Sequence, residues 1–382
     1  MVLRERTQPI PSEASERAQR WAATMDGYSG GASVRRAHRD SHAAVGTVGT
    51  LRRDEREHIE DLTLAPGATR AREAGRRPTP EEPDLLRTCF ERDRDRILHA
   101  TAFRRLAGKT QVFIFPQDHQ RTRLTHAIEV AQVAVSLARA ARLNVALTEA
   151  IALGHDCGHG PGGHASEDAL SPYVETGFDH AVWGADVVLA PLNLCAETLD
   201  GIRNHSWSRP APTTPEGEVV SWADRIAYVC HDFEDAVRAG IVTSSMLPDR
   251  VRRRCGHGRS EQLGAFIGGV LDAMAATGEV GMSEELAEAL ADFRATNYER
   301  IYLRPASVAQ GQAVAQLLRA LVEHFADRPN LIPEAAARGG VGAGSDEALS
   351  TAVTYVAGMT DRYVMQSAAA HLGWDDHRLP GA

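Results

Sequence analysis

Between positions 154 and 167 the chain reads Gly-His-Asp-Cys-Gly-His-Gly-Pro-Gly-Gly-His-Ala-Ser-Glu. Five titratable side chains (His155, Asp156, His159, His164 and Glu167) fall within thirteen residues, interleaved with Gly154, Gly158, Gly160, Gly162 and Gly163. No helix or strand interior carries glycine at that density, because each one adds backbone entropy that folding must remove. Glycine does allow a backbone to wrap closely around a ligand. The segment therefore reads as a helix end at His155-Asp156 that runs into a close-packed loop, and the rest of the chain has to supply the scaffold.

That scaffold is predicted to be all-α. Aromatic residues are only 5 % of the 382 residues, hydrophobic residues are 43 % and charged residues 24 %. Such a chain has ample core material, and its Ala, Leu and Arg favour helices over a sandwich or barrel. Apolar spacing near three, four and seven predicts a helix entered at Glu81-Glu82-Pro83-Asp84, carried by Leu86, Phe90, Ile97, Phe103 and Leu106, and interrupted at Gly108. Long helices are expected over 123–143 and 148–155, with a short one resuming at His164. Further helices are expected over 179–190, 195–205, 218–238, 260–277, 283–303, 307–327 and 346–371, with loops at 209–215 and 339–344. Residues 1–80 mix Arg and Glu with Gly, Ser and Thr and show no sustained period, so they read as a flexible N-terminal extension. The domain expectation is this extension, a catalytic core over 81–240, and a helical region over 241–382 that completes the substrate pocket and makes oligomer contacts.

The formal charge of −9 argues against extended polyanions such as duplex DNA as a general partner. It is unevenly spread, with +3 in residues 1–80, +5 in residues 92–125 and −17 elsewhere. Lys109 is the only lysine. Five cysteines, widely spaced and without a CxxC pair, are neither a disulfide framework nor a zinc ribbon, which fits a cytoplasmic protein. The most apolar stretch, 127–147, is broken by Glu129, Arg139 and Arg142, so no membrane span is expected.

Imidazoles and carboxylates drawn from separate helices suit a divalent metal with open coordination positions, held by nitrogen and oxygen ligands. Such an ion can acidify water and polarise a phosphoryl oxygen, which makes phosphate-ester hydrolysis the natural reaction. The ordered set His126, His155-Asp156 and Asp224 resembles HD-domain phosphohydrolases, and more closely their deoxynucleoside triphosphate triphosphohydrolase, dGTPase-like branch. The likeness extends through Phe103-Arg104-Arg105-Leu106, Lys109-Thr110-Gln111-Val112-Phe113 and Arg121-Thr122-Arg123-Leu124-Thr125-His126. It continues through Asn204-His205-Ser206, Ala223-Asp224-Arg225-Ile226-Ala227-Tyr228 and His231-Asp232, and returns at Gly358-Met359-Thr360-Asp361-Arg362-Tyr363.

The resemblance implies an HD-domain helical fold with a C-terminal helical extension, acting on a dNTP to give deoxynucleoside and inorganic triphosphate. It implies metal ligation by His126, His155, Asp156 and Asp224. The cofactor would be a divalent metal ion, Mn or Mg, with Fe, Ni, Zn or Co as alternatives. His164 oriented by Glu167, three residues on, matches an acid–base dyad that protonates the leaving 5′ oxygen. Arg123 and His159, with Lys109 as a weaker match, would hold phosphates. Gln111 and Val112 would meet the deoxyribose, and Tyr228 and Asp232 would line the sugar face beyond Asp224. A homo-oligomer and a dNTP allosteric activator are further implications, with Arg104 and Arg105 read either as a helix surface pair or as part of such a regulatory site; single-stranded nucleic acid is a further candidate partner. The sequence departs from the family at Gly160-Pro161-Gly162-Gly163, where relatives carry two prolines and a phenylalanine, and at Cys157, where leucine is usual. A looser loop beside the substrate is expected there. Alternatives are an HD phosphohydrolase acting on another nucleotide or a nucleic-acid end, and a non-catalytic dNTP sensor. His99, His119, His180, His257 and His371 have no partner pattern and read as surface or core residues, whereas His205 is a candidate neighbour of the site.

Overall fold

The computed structural model describes residues 15–24, 26–31, 33–114 and 119–374. The chain divides into two units, Met1–Thr50 and Leu51–Ala382. In the first, helix α1 (Glu16–Ala22) is capped by Ser15, and strands β1 (Tyr28–Ser29) and β2 (Arg35–Arg36) pair antiparallel, Tyr28 facing Arg36.

The second unit is helical. In chain order it contains α2 (Arg53–Thr63), α3 (Cys89–His99), α4 (Thr101–Arg105), α5 (Arg123–Ala140), α6 (Val145–Gly154), α7 (Ala165–Leu170), α8 (His180–Trp183) and α9 (Ala196–Asn204). It continues with α10 (Pro215–Arg238), α11 (Asp249–Cys255), α12 (Arg259–Thr277), α13 (Glu284–Asn297), α14 (Pro305–Asp327), α15 (Pro333–Arg338), α16 (Asp346–Ala357) and α17 (Asp361–Ser367). Apart from the short β1–β2 pair the all-α expectation holds among the described residues, and none of their helices is long and apolar enough to cross a membrane.

Helix α6 explains where the chemistry sits. Its sequence is apolar nearly all round, which marks a core helix rather than a surface one. Seven of its ten residues are buried, and α3, α5, α9 and α10 pack around it. Asn144 caps its first turn by accepting from Leu147 N at 3.2 Å. Burial of Leu147 and Ile151 contributes about 1.5–3 kcal/mol each before entropy is counted. Since α6 runs through the middle of the unit, its C-terminal end delivers His155 and Asp156 to the interior. Helix α5 starts from a reciprocal Thr122–Thr125 capping box, and α10 from Pro215 behind a Thr214 cap. A second apolar core joins α7 to α14, α16 and α17, with Leu318, Leu321 and Val356 fully buried.

Three expectations need correction. The compact unit starts at Leu51, not near 81. Buried Glu216 on α10 accepts from Thr69 N (3.0 Å), Thr69 Oγ1 (2.7 Å) and Asn144 N (2.9 Å), which ties the segment after α2 to the core. The helix expected from Glu81 begins instead at Cys89, where Thr88 and Glu91 form a capping box, and it breaks at Ala100. The single helix expected over 346–371 divides between α16 and α17, because Thr360 starts a new cap by accepting from Tyr363 N.

Candidate active site

Four side chains from three elements converge in the interior. His126 comes from α5, His155 and Asp156 from the end of α6, and Asp224 from α10. His126 Nε2 lies 3.0 Å from Asp224 Oδ1, His155 Nε2 lies 3.7 Å from the same oxygen and 3.5 Å from Asp156 Oδ1, and Asp156 Oδ2 lies 3.9 Å from His126 Nε2. Ligands bonded at about 2.0–2.2 Å to one ion sit about 3 Å or slightly more from their neighbours, so these spacings suit a small divalent cation. His155 supplies the test of fit. Its Nδ1–H donates to Ala152 O at 2.7 Å, which fixes the tautomer and leaves Nε2 as a bare lone pair. That Nε2 is buried and finds no hydrogen-bond partner. A buried lone pair facing two carboxylates is an unpaired acceptor of the kind a metal ion would satisfy.

The charges agree with this reading. Burial works to lower the pKa of His126, but the hydrogen bond and charge of Asp224 override it and the net shift is upward. Burial would raise Asp156, and the Arg123 guanidinium with His155 and His159 instead holds it well below the ordinary carboxylate range. Asp224 is likewise lowered by His126 and His155 against burial. The two carboxylates thus stay ionised, as ligands must.

A second group adjoins the first across Asp156. His159 Nε2 is 3.2 Å from Asp156 Oδ1, and its ring stacks on His180 at 3.7 Å. Glu167 Oε2 is 3.0 Å from His164 Nδ1, while its Oε1 is 2.7 Å from His180 Nδ1 and accepts from His180 N at 3.1 Å. One carboxylate therefore orients two imidazoles. The His164 side chain is 74 % exposed, whereas that of Glu167 is 25 % exposed. Burial works to raise Glu167, but the hydrogen bonds from His164 and His180 override it and hold the carboxyl well below its ordinary pKa. His205 closes the group, with Nε2 3.3 Å from His180 Nε2 and its ring 4.9 Å from that of His155.

Glycine is obligatory beside these residues. A Cβ at Gly158 would stand 2.0 Å from His180 O and 2.4 Å from Gly184 N, so only glycine lets the loop reach the α8 turn. Gly162 and Gly163 adopt φ of +73° and +64°, the left-handed region. The loop is pinned, contrary to the expected looseness. Gly160 N donates to Ser166 Oγ (3.1 Å) and Gly162 N to Asp361 Oδ1 (2.9 Å). Asp361 also accepts from Thr110 N at 2.9 Å and from Thr110 Oγ1, so the Gly358–Tyr363 motif clamps two walls of the site together.

The remaining expected residues divide. Arg123 Nη1 donates to Asp156 Oδ2 at 2.7 Å, and its buried Nε and Nη2 have no partner. His159 Nδ1 is also buried and unpartnered. Gln111 Oε1 is a further unpartnered buried atom, and Val112 packs on the core. Asp232 accepts from Tyr302 Oη at 2.5 Å, and Tyr228 Oη accepts from Arg294 Nε at 2.8 Å. Burial pushes Asp232 up to about 7 against the Tyr302 hydrogen bond. Lys109 does not point to a phosphate position, since its buried Nζ donates to His159 O and, at 3.0 Å, to Ala357 O. Much of the cationic surplus of 92–125 is spent in ion pairs, Arg96 on Glu81 and Arg121 on Glu129, Glu234 and Asp235. His231 belongs to that last network, 3.2 Å from Glu129. His180 is the chief correction. Read as an isolated histidine, it shares Glu167 with His164, and only the Asp179 cap of α8 brings it there. Tyr302 and Arg294 carried no sequence signal, because their partners lie 66 to 70 residues away.

Residues 123–229 match the HD domain family and residues 280–370 match the phosphohydrolase-associated domain family. Fold and matches together define an HD-domain phosphohydrolase class. A deoxyguanosinetriphosphate triphosphohydrolase-like protein of Caldanaerobacter subterraneus subsp. tengcongensis is 40 % identical over 320 residues, covering 82 % of this chain and 93 % of its own. A protein of the same description from Clostridium perfringens (strain SM101) is 39 % identical, covering 81 % and 94 %, and one from Ruegeria sp. is 35 % identical, covering 79 % and 97 %. The chain belongs to the deoxyguanosinetriphosphate triphosphohydrolase-like family.

Proposed function

We propose that this protein is a metal-dependent triphosphohydrolase that cleaves a deoxynucleoside triphosphate, dGTP or a close relative, into deoxynucleoside and inorganic triphosphate. The observation that carries the reading is the juxtaposition of a His126–His155–Asp156–Asp224 donor set, three of its members buried and Asp224 partly so, with an exposed His164 held by Glu167. A non-catalytic nucleotide sensor needs the first of these and has no use for the second.

His126, His155, Asp156 and Asp224 would hold a divalent ion, which when bound would supply Lewis acidity to lower the pKa of water and offset charge on phosphoryl oxygens. The residues around it do the rest. With Nδ1 engaged by Glu167, His164 presents Nε2 outward, where it donates a proton to the departing 5′ oxygen. Glu167 fixes that tautomer and balances the charge of His164 and His180. The free N–H groups of Arg123 donate to phosphate oxygens, in a buried setting where each hydrogen bond counts for more than in water, and His159, whose Nε2–H is turned to Asp156, lies beside them. Tyr228, Asp232, Gln111 and Val112 receive the sugar. A dNTP activator, assembly into a homo-oligomer and a cytoplasmic location extend the reading.

The test is product identity. Purified protein loaded with Mn or Mg is given each dNTP and rNTP, singly and in mixtures, and products are separated by anion exchange. Inorganic triphosphate in equal amount to deoxynucleoside is expected. Orthophosphate, pyrophosphate or nucleoside monophosphate as first product overturns the assignment.

A further inference from the structure

Of the 42 Lys and Arg residues in the chain, Lys109 alone is lysine, and at 3 % exposure it is buried where separate stretches of backbone meet. Its own carbonyl accepts from Arg123 N at 3.2 Å, at the start of α5. Its Nζ donates to His159 O, in the loop between Asp156 and His164, and at 3.0 Å to Ala357 O, at the end of α16. One amine thereby joins segments 50 and 248 residues away from it. The residues on either side bring it there. A Cβ at Gly108 would lie 2.9 Å from Thr360 Cγ2, so glycine lets this stretch close on the turn after α16. Thr110 gives that turn its N–H and its hydroxyl, both to Asp361. The same Asp361 accepts from Gly162 N at 2.9 Å. The loop that runs from Asp156 to His164 is therefore held at two points, by Lys109 at His159 and by Asp361 at Gly162.

The first of these points calls for an amine. An ammonium on a flexible four-carbon stem turns its tetrahedral donors toward two carbonyls that arrive from different segments, whereas a guanidinium is a flat, larger fork with its donors fixed in one plane. In a close-packed interior that extra volume displaces neighbours. Burial itself does not select lysine, because arginine fills the other buried cationic position of the site at Arg123, where the partner is the carboxylate of Asp156. Burial lowers the Lys109 pKa to about 8, with the charge of Asp361 working against it.

We propose that Lys109 is a positioning residue of the site: its amine sets the backbone of the loop between Asp156 and His164 against the C-terminal Ala357–Asp361 turn, and an arginine cannot take its place. The inference rests on the triphosphohydrolase reading and assigns Lys109 no contact with substrate. Its action passes through the His159 carbonyl to the loop that carries His159 beside Arg123 and then delivers His164. A loop released at that carbonyl loosens the phosphate side of the site first, since His159 is the residue held. The metal donors on α5, α6 and α10 keep their own supports, His155 through Ala152 O and His126 through Asp224.

The full-length parent, Lys109→Met and Lys109→Arg are compared by amide hydrogen exchange, by metal content, and by kcat and KM for triphosphate release. Both variants should exchange several-fold faster over 157–164 while α6 exchanges as in the parent. Metal content should match the parent, and kcat/KM should fall about 10- to 100-fold, more through KM than through kcat. Gly108→Ala keeps the amine but pushes its segment off Thr360. It should show the same pattern more weakly, and it decides the matter where the Lys109 variants lose their helical circular dichroism. Parent-like exchange over 157–164 in a folded variant overturns the positioning role, and a parent-like kcat/KM in Lys109→Arg overturns the demand for an amine. A parent protein that releases no triphosphate fails the proposed reaction instead, and hydrogen exchange then decides the role of Lys109 on its own.

Discussion

The two halves of the candidate site are built in opposite ways. His126, His155 and Asp156 are each 3 % exposed or less and issue from the buried ends or faces of α5 and α6. His164 is 74 % exposed and stands just before the six-residue helix α7, oriented by a single carboxylate. Ligands for an ion have to be dry and fixed before it arrives, since a misplaced donor loses the bond outright. A group that gives up a proton each turnover has to be re-protonated, which exposure permits. The difference fits the proposed chemistry, in which the rigid half binds charge and the open half moves a proton.

Breaking the buried half should have the largest effect. His155→Ala removes a lone pair that has no other partner, so metal content measured by mass spectrometry should fall to background. Loss of several kcal/mol of charge stabilisation predicts a drop in turnover of about 10³-fold or more. A smaller change is expected on the open side from Glu167→Gln, which keeps the shape but no longer holds two imidazoles by charge. A fall of about 10- to 100-fold in kcat with unchanged metal content would fit a partner that orients the reacting residue. Next, Asp361→Asn weakens the acceptor that joins Thr110 to Gly162. The expected result is a loss of about 1–3 kcal/mol of stability by urea unfolding and a rise in KM larger than the fall in kcat.

The smallest effect concerns pH. Asp232 sits at about 7 in the folded chain against an ordinary 3.8. The folded state then keeps a proton that the unfolded state releases between those values, so stability falls as pH rises through that window. Asp232→Asn should remove the slope, leaving the metal-free variant more stable than the parent at pH 8 by on the order of 1 kcal/mol and less advantaged at pH 4. An identical pH dependence in variant and parent would show that Asp232 is not held protonated by burial.

The sequence made the rigid half legible and much of the open half obscure, for a physical reason. His155-Asp156 ends a mostly apolar helix, and both its composition and the motif announce it. Glu167 lies one turn from His164, so that pair can be read from spacing. His180 reaches Glu167 only because α8 folds back over Gly158, and His205 reaches His180 only from the end of α9. Nothing local records such a contact. Lys109 shows the converse error, since a lone lysine beside a phosphate site reads as a ligand until its Nζ is seen capping His159 O and Ala357 O. The anchoring of 64–72 through Glu216 was equally hidden, its partners Asn144 and Thr69 lying 72 and 147 residues from it along the chain.

The most direct test of a site divided into a metal half and a proton half is His164→Ala, assayed for metal content and for inorganic triphosphate release on the same sample. The division predicts metal content equal to that of the parent protein and release reduced about 10²- to 10⁴-fold. Loss of the metal together with activity, or turnover at the parent rate, would contradict it.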